Sequence, residues 1–406
     1  MAFLPNPQPM LDDIHWVGIV DWAVRIFHGY HTDEGSSYNS YLIMDEQPTL
    51  IDSVKYPFVQ EHLERIQAVC ALDKIKFIIM NHAEGDHTSS LPLFINQCVN
   101  ATIVTNKICM NHLQILYPSL KNFDRWQIVD AKSTLNIGKR TLKFVPVPLL
   151  HWPDSMFTYS EFDQTLFSND GFGQHLASAE RWSDELPQGQ IERLMDEYTA
   201  NILGHVPHLI KKAVEAASTL SIKNILVAHG ASYRGDAVGW AVKKYFDFGA
   251  QTHFKPKVSI VYDTMYGTTA RAALAIAEGV KSAGAVPHML PLSAADITKA
   301  ALNFYDSPCV ALGSPTLNST YMPAQAAVIN YCGGLKLLNT RETFLFGAYG
   351  WAEKATKDMK ADVEKVGAVN SIPAVTWKYN VDVDVLNKCK EAGFQLGKKA
   401  LVRCGK

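Results

Sequence analysis

Phe77-Ile78-Ile79-Met80-Asn81-His82-Ala83-Glu84-Gly85-Asp86-His87 is the stretch on which the fold turns. Four apolar residues predict a short buried strand, and His82, Glu84, Asp86 and His87 follow at once. A strand end lets a sheet fix the origin of a ligand loop while the ligands stay out of the core. The same event recurs where His151 follows Leu149-Leu150, Asp170 follows Phe167-Ser168-Asn169, and His229 follows Leu226-Val227-Ala228. Singly, each is an ordinary polar residue after an apolar run; together they point to a metal centre. His82 and Glu84 lie two apart and Asp86 and His87 are adjacent, so one loop can serve two neighbouring metals.

Outward from that stretch, the first half mixes strands and helices irregularly. Ile14–Val20, Tyr38–Met44, Thr49–Ile51, Phe77–Met80 and Thr102–Thr105 are expected strands, with a hairpin turning at Asp45-Glu46-Gln47-Pro48. Helical periodicity runs through Val54–Val69 and Leu186–Ala217. A polar break at Phe248–Lys257 precedes a regular second half. There Val258–Tyr262, Val286–Pro291, Cys309–Leu312, Thr343–Phe346 and Ala374–Tyr379 are expected strands. They alternate with helices at Ala270–Ala283, Ala295–Phe304, Pro323–Tyr331, Ala352–Val366 and Val383–Val402. Such alternation predicts a doubly wound parallel sheet, whose ligands sit beyond the carboxyl ends of its strands.

The loop after the first of those strands is Asp263-Thr264-Met265-Tyr266-Gly267-Thr268-Thr269. Its backbone N–H groups, the hydroxyls of Thr264, Thr268 and Thr269, and a helix N-terminus converge on one anion-sized space. No Gly-x-Gly-x-x-Gly and no phosphate-loop lysine occur there, so a single phosphate monoester fits better than a dinucleotide or nucleoside triphosphate. Two more loops border the same crevice: Gly313-Ser314-Pro315-Thr316-Leu317-Asn318 and Gly347-Ala348-Tyr349-Gly350-Trp351. Tyr349 and Trp351 offer aromatic surface to a planar ring, and which of them stacks is open.

His-x-Glu-x-Asp-His, followed by His, Asp and His at strand ends, resembles the metallo-β-lactamase fold and, more narrowly, the flavodiiron protein family. Hydrolases of that fold usually carry His where Glu84 stands, and a carboxylate is the harder ligand, favouring iron over zinc. The three loops of the second half are similar to flavodoxin, whose ligand is FMN. The resemblance implies an α/β chain: an N-terminal αββα metallo-β-lactamase-like sandwich over 1–252, then a doubly wound five-stranded parallel flavodoxin-like sheet over 253–406. It implies one iron held by His82, Glu84 and His151 and a second by Asp86, His87 and His229, with Asp170 bridging. His28 and His175 lie in segments resembling the family's pocket lining, and Tyr198 is a further pocket candidate. His112, in a lone Cys-x-x-His, is expected to be a helix-surface residue.

The implied activity is that of a soluble oxygen and/or nitric oxide reductase. One FMN and two ferrous ions together hold the four electrons that take O2 to water, while joining two NO into N2O needs two. The family also implies a head-to-tail homodimer or a dimer of such dimers. No Cys-x-x-Cys pair precedes the close at Cys404-Gly405-Lys406, so electrons are expected from a separate donor: a small redox protein, a reductase or a reduced deazaflavin. Two other readings share the same parts, a zinc-dependent hydrolase with a flavodoxin-like appendage and a non-enzymatic electron carrier or gas sensor.

Composition agrees. A chain of 406 residues, 47% hydrophobic and 19% charged, is that of a globular protein of two or three domains. Lys+Arg of 38 against Asp+Glu of 40 leaves no basic surplus for nucleic acid or an anionic membrane. No apolar run approaches membrane-spanning length, and Met1–Pro7 lacks the basic and apolar regions of a secretory signal. Seven scattered cysteines predict reduced thiols and a cytoplasmic location.

Overall fold

Successive residues of the first-half strands look in opposite directions, and that alternation builds a layered sandwich. In the computed structural model, which describes residues 6–406, Leu42, Leu50, Ile78 and Ile103 pack with helix residues Leu63, Ile66, Phe94 and Leu113. Their neighbours Tyr41, Ile43, Ile51, Phe77, Ile79 and Val104 pack instead with Leu142, Phe144, Met156, Phe167 and Leu226 of a second sheet. Residues 1–5, the start of the stretch read above for a leader, lie outside the described residues.

The first sheet runs Gln8–Leu11, Ile14–Trp16, Tyr41–Ile43, Thr49–Ile51, Phe77–Ile79, Thr102–Thr105, Trp126–Ile128. The second runs Thr134–Asn136, Thr141–Pro146, Met156–Ser160, Thr165–Asn169, Asn224–Val227, Tyr233–Arg234. Two parallel pairings position the site. Ile51 lies opposite Ile79, so Asp52 leaves its strand beside the loop that carries His82. Asn169 lies opposite Val227, so Asp170 and His229 emerge from adjacent strands.

The second half is a parallel sheet ordered Val286–Pro291, Lys257–Tyr262, Cys309–Gly313, Glu342–Tyr349, Val375–Lys378. The strand order reverses between Lys257–Tyr262 and Cys309–Gly313, which opens a ligand crevice at their carboxyl ends. Helices Thr268–Ser282 and Val383–Arg403 cover one face through Ala272, Ile276, Val280, Ala392 and Leu396. They approach so closely that a Cβ on Gly279 would strike the Lys390 carbonyl. By contacts, the chain divides into residues up to Tyr198 with Val206–Ala250, and Thr199–His205 with Gln251–Lys406.

Several local expectations need correction. The strands expected at Ile14–Val20 and Tyr38–Met44 are each broken in two, as Ile14–Trp16 with Ile19–Asp21 and Ser36–Tyr38 with Tyr41–Ile43. The two breaks face each other, since the halves pair as Ile14–Trp16 with Tyr41–Ile43 and Ile19–Asp21 with Ser36–Tyr38. At the second break Asn39 turns its backbone N–H to the Ala228 carbonyl (2.7 Å) and its side-chain amide to the Val227 and Gly230 carbonyls (both 2.9 Å). The helix expected at Leu186–Ala217 is Gln188–Tyr198, a π-helical turn Thr199–Leu203, and Pro207–Ala217. Pro207 has no N–H to continue a helix and starts the new one. Gly347, Ala348 and Tyr349 are strand, not loop, because they pair in register with Thr376, Trp377 and Lys378.

Candidate metal centre and flavin crevice

The ligand-capable atoms of His82, Glu84, His151 and Asp170 lie within 4.8 Å of one another, and those of Asp86, His87 and His229 form a second such group. Glu84 is extended and precedes a single helical turn, Gly85–Thr88, which carries Asp86 and His87. Asp170 joins the groups. Its Oδ2 lies 3.3 Å from His151 Nε2 and 3.7 Å from His82 Nε2, and its Oδ1 lies 3.2 Å from His87 Nε2 and 3.3 Å from His229 Nε2.

Hydrogen bonds at the far ring nitrogens fix two tautomers. His82 Nδ1 faces the Asp154 carboxylate at 3.3 Å and His229 Nδ1 faces the Ser37 carbonyl at 2.7 Å. Both partners only accept, so each Nδ1 carries hydrogen and each Nε2 can turn a lone pair to the cluster.

Three carboxylates and four imidazoles do not satisfy one another here. Both oxygens of Asp86 and of Asp170, and His87 Nε2, are buried without a hydrogen-bond partner. Burial opposes charge on His229, but Asp170 and Asp86 overcome it and push the pKa up to about 10. At His151 burial is likewise overcome, by Asp170 and Glu84, up to about 9. Burial would raise the carboxylates, yet the facing imidazoles hold Glu84, Asp86 and Asp170 low. The cluster therefore demands positive charge at its centre. Metal cations meet that demand and displace the protons, and a mixed nitrogen and oxygen donor set suits iron.

A cavity of about 460 Å³ reaches Glu84 and Asp86, walled by Ile26, Phe27, His28, Lys55 and Tyr56. His28 Nε2 lies 2.6 Å from Glu84 Oε1. His175 has both ring nitrogens engaged, with the Tyr30 hydroxyl at 2.5 Å and the Ser36 hydroxyl at 2.8 Å, and burial and the His229 charge press its pKa down. The buried ring of Tyr198 is 5.1 Å from His175 and 6.1 Å from His229. His112 is not a plain surface residue: it lies 3.2 Å from Asp154 Oδ1. Asp154 escaped the sequence reading, although it stands three residues after His151 in the same loop.

In the second unit, Met265, Tyr266, Thr268, Pro315, Thr316, Leu317, Asn318, Ala348, Tyr349, Gly350 and Trp351 line a crevice of about 520 Å³. Ser319, Ala352 and Tyr379 line it too and carried no motif. Thr264, Gly267, Thr269 and Ser314 stand behind the lining. Thr264 Oγ1 accepts from the Gly267 N–H at 3.0 Å, and Gly267, at φ +78°, caps the helix Thr268–Ser282 in a conformation that favours glycine. Thr269 Oγ1 is buried without a partner in that helix's first turn, which fits an absent phosphate oxygen. Ser314 is fully buried and its hydroxyl ties the loop, donating to the Pro315 carbonyl at 2.9 Å and accepting from the Met322 N–H at 2.9 Å.

Comparison with known proteins agrees with this geometry. Residues 37–230 match the family model described as ODP family beta lactamase, and residues 260–395 match the flavodoxin model. The chain is 32% identical to a nitric oxide reductase of Moorella thermoacetica, covering 98% of this chain and 99% of that one. It is 35% identical to the rubredoxin-oxygen oxidoreductase of Megalodesulfovibrio gigas, covering 86% and 87%. The crystal structure of the flavodiiron protein from Giardia intestinalis matches with a TM-score of 0.96 at 53% identity, over 98% of each chain.

Proposed function

The chain belongs to the flavodiiron protein family, and on that footing we propose that it reduces O2, NO or both at a diiron centre supplied by FMN. The observation that carries the reading is Asp170, a buried carboxylate with one oxygen turned to each ligand group. His82, Glu84 and His151 would hold one iron, Asp86, His87 and His229 the other, and Asp170 both. Bound FMN and two irons supply the stored electrons that O2 or NO reduction consumes.

The protein's own groups do the rest. Thr268, Thr269 and the first turn of Thr268–Ser282 would hold the flavin phosphate, and Tyr349 and Trp351 would offer aromatic surface to its ring. His28 Nε2 faces Glu84 Oε1 at 2.6 Å on the wall of the metal cavity, where it can hydrogen-bond that carboxylate. Phe27 and Ile26 keep that cavity apolar enough for a diatomic gas.

Large apolar side chains are exposed at both mouths, Ile26 and Tyr56 at the metal cavity and Tyr266 and Trp351 at the flavin crevice. That supports a dimer in which the flavin mouth of one copy covers the metal mouth of another. All seven cysteines are free and all but Cys404 are buried, which supports a reducing compartment. Among the described residues no helix is long and apolar enough to cross a membrane.

The test is anaerobic turnover of the chemically reduced protein with O2 and NO separately, with iron and flavin quantified on the same sample. Two irons, one FMN and consumption of either gas are expected. Two zincs with ester or lactone hydrolysis, or full cofactor loading without gas consumption, would overturn the reading. Sedimentation of the active sample tests the dimer: a fully active monomer contradicts it.

A further inference from the structure

Two ligand histidines, His82 of one group and His229 of the other, are backed differently at their far nitrogens. Behind His229 stands a neutral carbonyl, Ser37 O. Behind His82 stands a carboxylate, Asp154, whose side chain is fully buried. Such a buried charge persists only where donors compensate it. Asp154 Oδ2 accepts from the Ala83 N–H at 2.7 Å and from His82, Oδ1 accepts from His112 Nδ1 at 3.2 Å, and the Asp154 carbonyl accepts from the Asn106 amide at 2.6 Å. Asn106 and His112 both belong to the helix Lys107–Leu116, Asn106 as its N-cap through a bond from the Cys109 N–H. The Trp152 ring lies edge-on to His82 at 5.0 Å and to His112 at 6.1 Å, closing the space between them.

We infer that Asp154, clamped by Asn106 and His112, is the positioning residue for His82 and makes the His82–Glu84–His151 half the more electron-rich of the two metal positions. The inference rests on the diiron reading above. A carboxylate that accepts from the far nitrogen of an imidazole raises the basicity of the near one, whereas a carbonyl does so less. The iron bound by His82 is then the harder to reduce and the more tightly held. His112 acts through Asp154: its donation fixes the carboxylate plane that His82 meets.

The experiment compares the wild-type holoprotein with Asp154→Asn and His112→Gln, each loaded with 57Fe and FMN. Mössbauer spectra, redox titration and iron release to a chelator are recorded. In Asp154→Asn, which keeps the shape and removes the charge, one of two quadrupole doublets should change while the other stays. The midpoint potential of one iron step should rise, and one iron of the two should be held about 10–100-fold more weakly, read as faster release to the chelator. His112→Gln should move the same doublet and the same step in the same direction by less. A folded Asp154→Asn protein with wild-type doublets, potentials and release rates would overturn the inference while leaving the diiron reading standing. If Asp154→Asn does not fold, an unchanged potential in His112→Gln does so. A wild-type protein that binds no iron would remove the reading itself.

Discussion

Asp52 accepts two hydrogen bonds from Asn81, one from its backbone N–H at 2.8 Å and one from its side-chain amide at 3.0 Å. A third comes from Asn169 Nδ2 at 3.2 Å. Asn81 precedes His82 and Asn169 precedes Asp170, so one buried carboxylate braces the first ligand loop against the loop of the shared ligand. Replacing Asp52 with Ala would strand all three donors. The expected cost is about 3 kcal/mol or more of stability, since each unsatisfied buried group costs about 1–3 kcal/mol. Asp52→Ala should therefore melt lower and bind less than the full iron complement, as calorimetry and metal analysis would reveal. Wild-type values for both would show that the loops need no brace.

Asp170 faces both ligand groups, so its loss should be felt by both metals. Asp170→Ala is expected to lose most of its iron and all gas reduction while retaining flavin, because the flavin loops belong to the other unit. Iron and FMN counts on one preparation decide this. Loss of a single iron with turnover retained would refute the shared role.

Thr268 opens the helix that faces the flavin crevice. Thr268→Glu sets a negative charge where a phosphate dianion should sit, and Coulomb repulsion at such range is worth several kcal/mol in a partly screened site. FMN affinity is expected to fall at least 100-fold with iron content near normal. Flavin release followed by fluorescence measures it, and unaltered affinity would move the phosphate elsewhere.

Much of this arrangement was legible in the residues themselves. Six of the seven metal-capable side chains follow a strand end, a local event that sequence records; His151 does not, because the Leu149-Leu150 run expected to be strand-like lies in a turn after the strand Thr141–Pro146. The regular alternation after Lys257 likewise gave the parallel sheet, because both periodicities survive in a single chain. What escaped is what depends on distant partners. Asn39 leaves its expected strand where the distant Ala228 carbonyl accepts its backbone N–H and the Val227 and Gly230 carbonyls accept its amide. Asp154 and His112 gain their roles only because the loop after His151 folds against the helix Lys107–Leu116. Tyr379, at φ +57° after the last strand, reaches the flavin crevice through a backbone bond to the Tyr349 carbonyl at 2.8 Å, a relation no motif announces.

His62 offers a pH test outside the metal site. It is fully buried, with Nε2 3.1 Å from the Ser40 hydroxyl and Nδ1 without a partner. Burial, helped by the nearby Arg65 charge, pushes its pKa down to about 3. In the unfolded chain the ordinary value is about 6.5, so below that pH the unfolded state takes up a proton that the folded state refuses. Stability from this residue is therefore complete above pH ~6.5 and is lost as pH falls toward ~3, by about 2 kcal/mol at pH ~5 at 1.36 kcal/mol per unit. His62→Gln keeps a polar group for Ser40 and removes the titration. Its unfolding free energy, by denaturant titration, should be lower than wild type at pH 8 yet fall about 2 kcal/mol less between pH 8 and 5. Acid loss of metal affects both proteins alike, so the difference between their slopes isolates this histidine, and parallel slopes would mean that the folded protein protonates it after all.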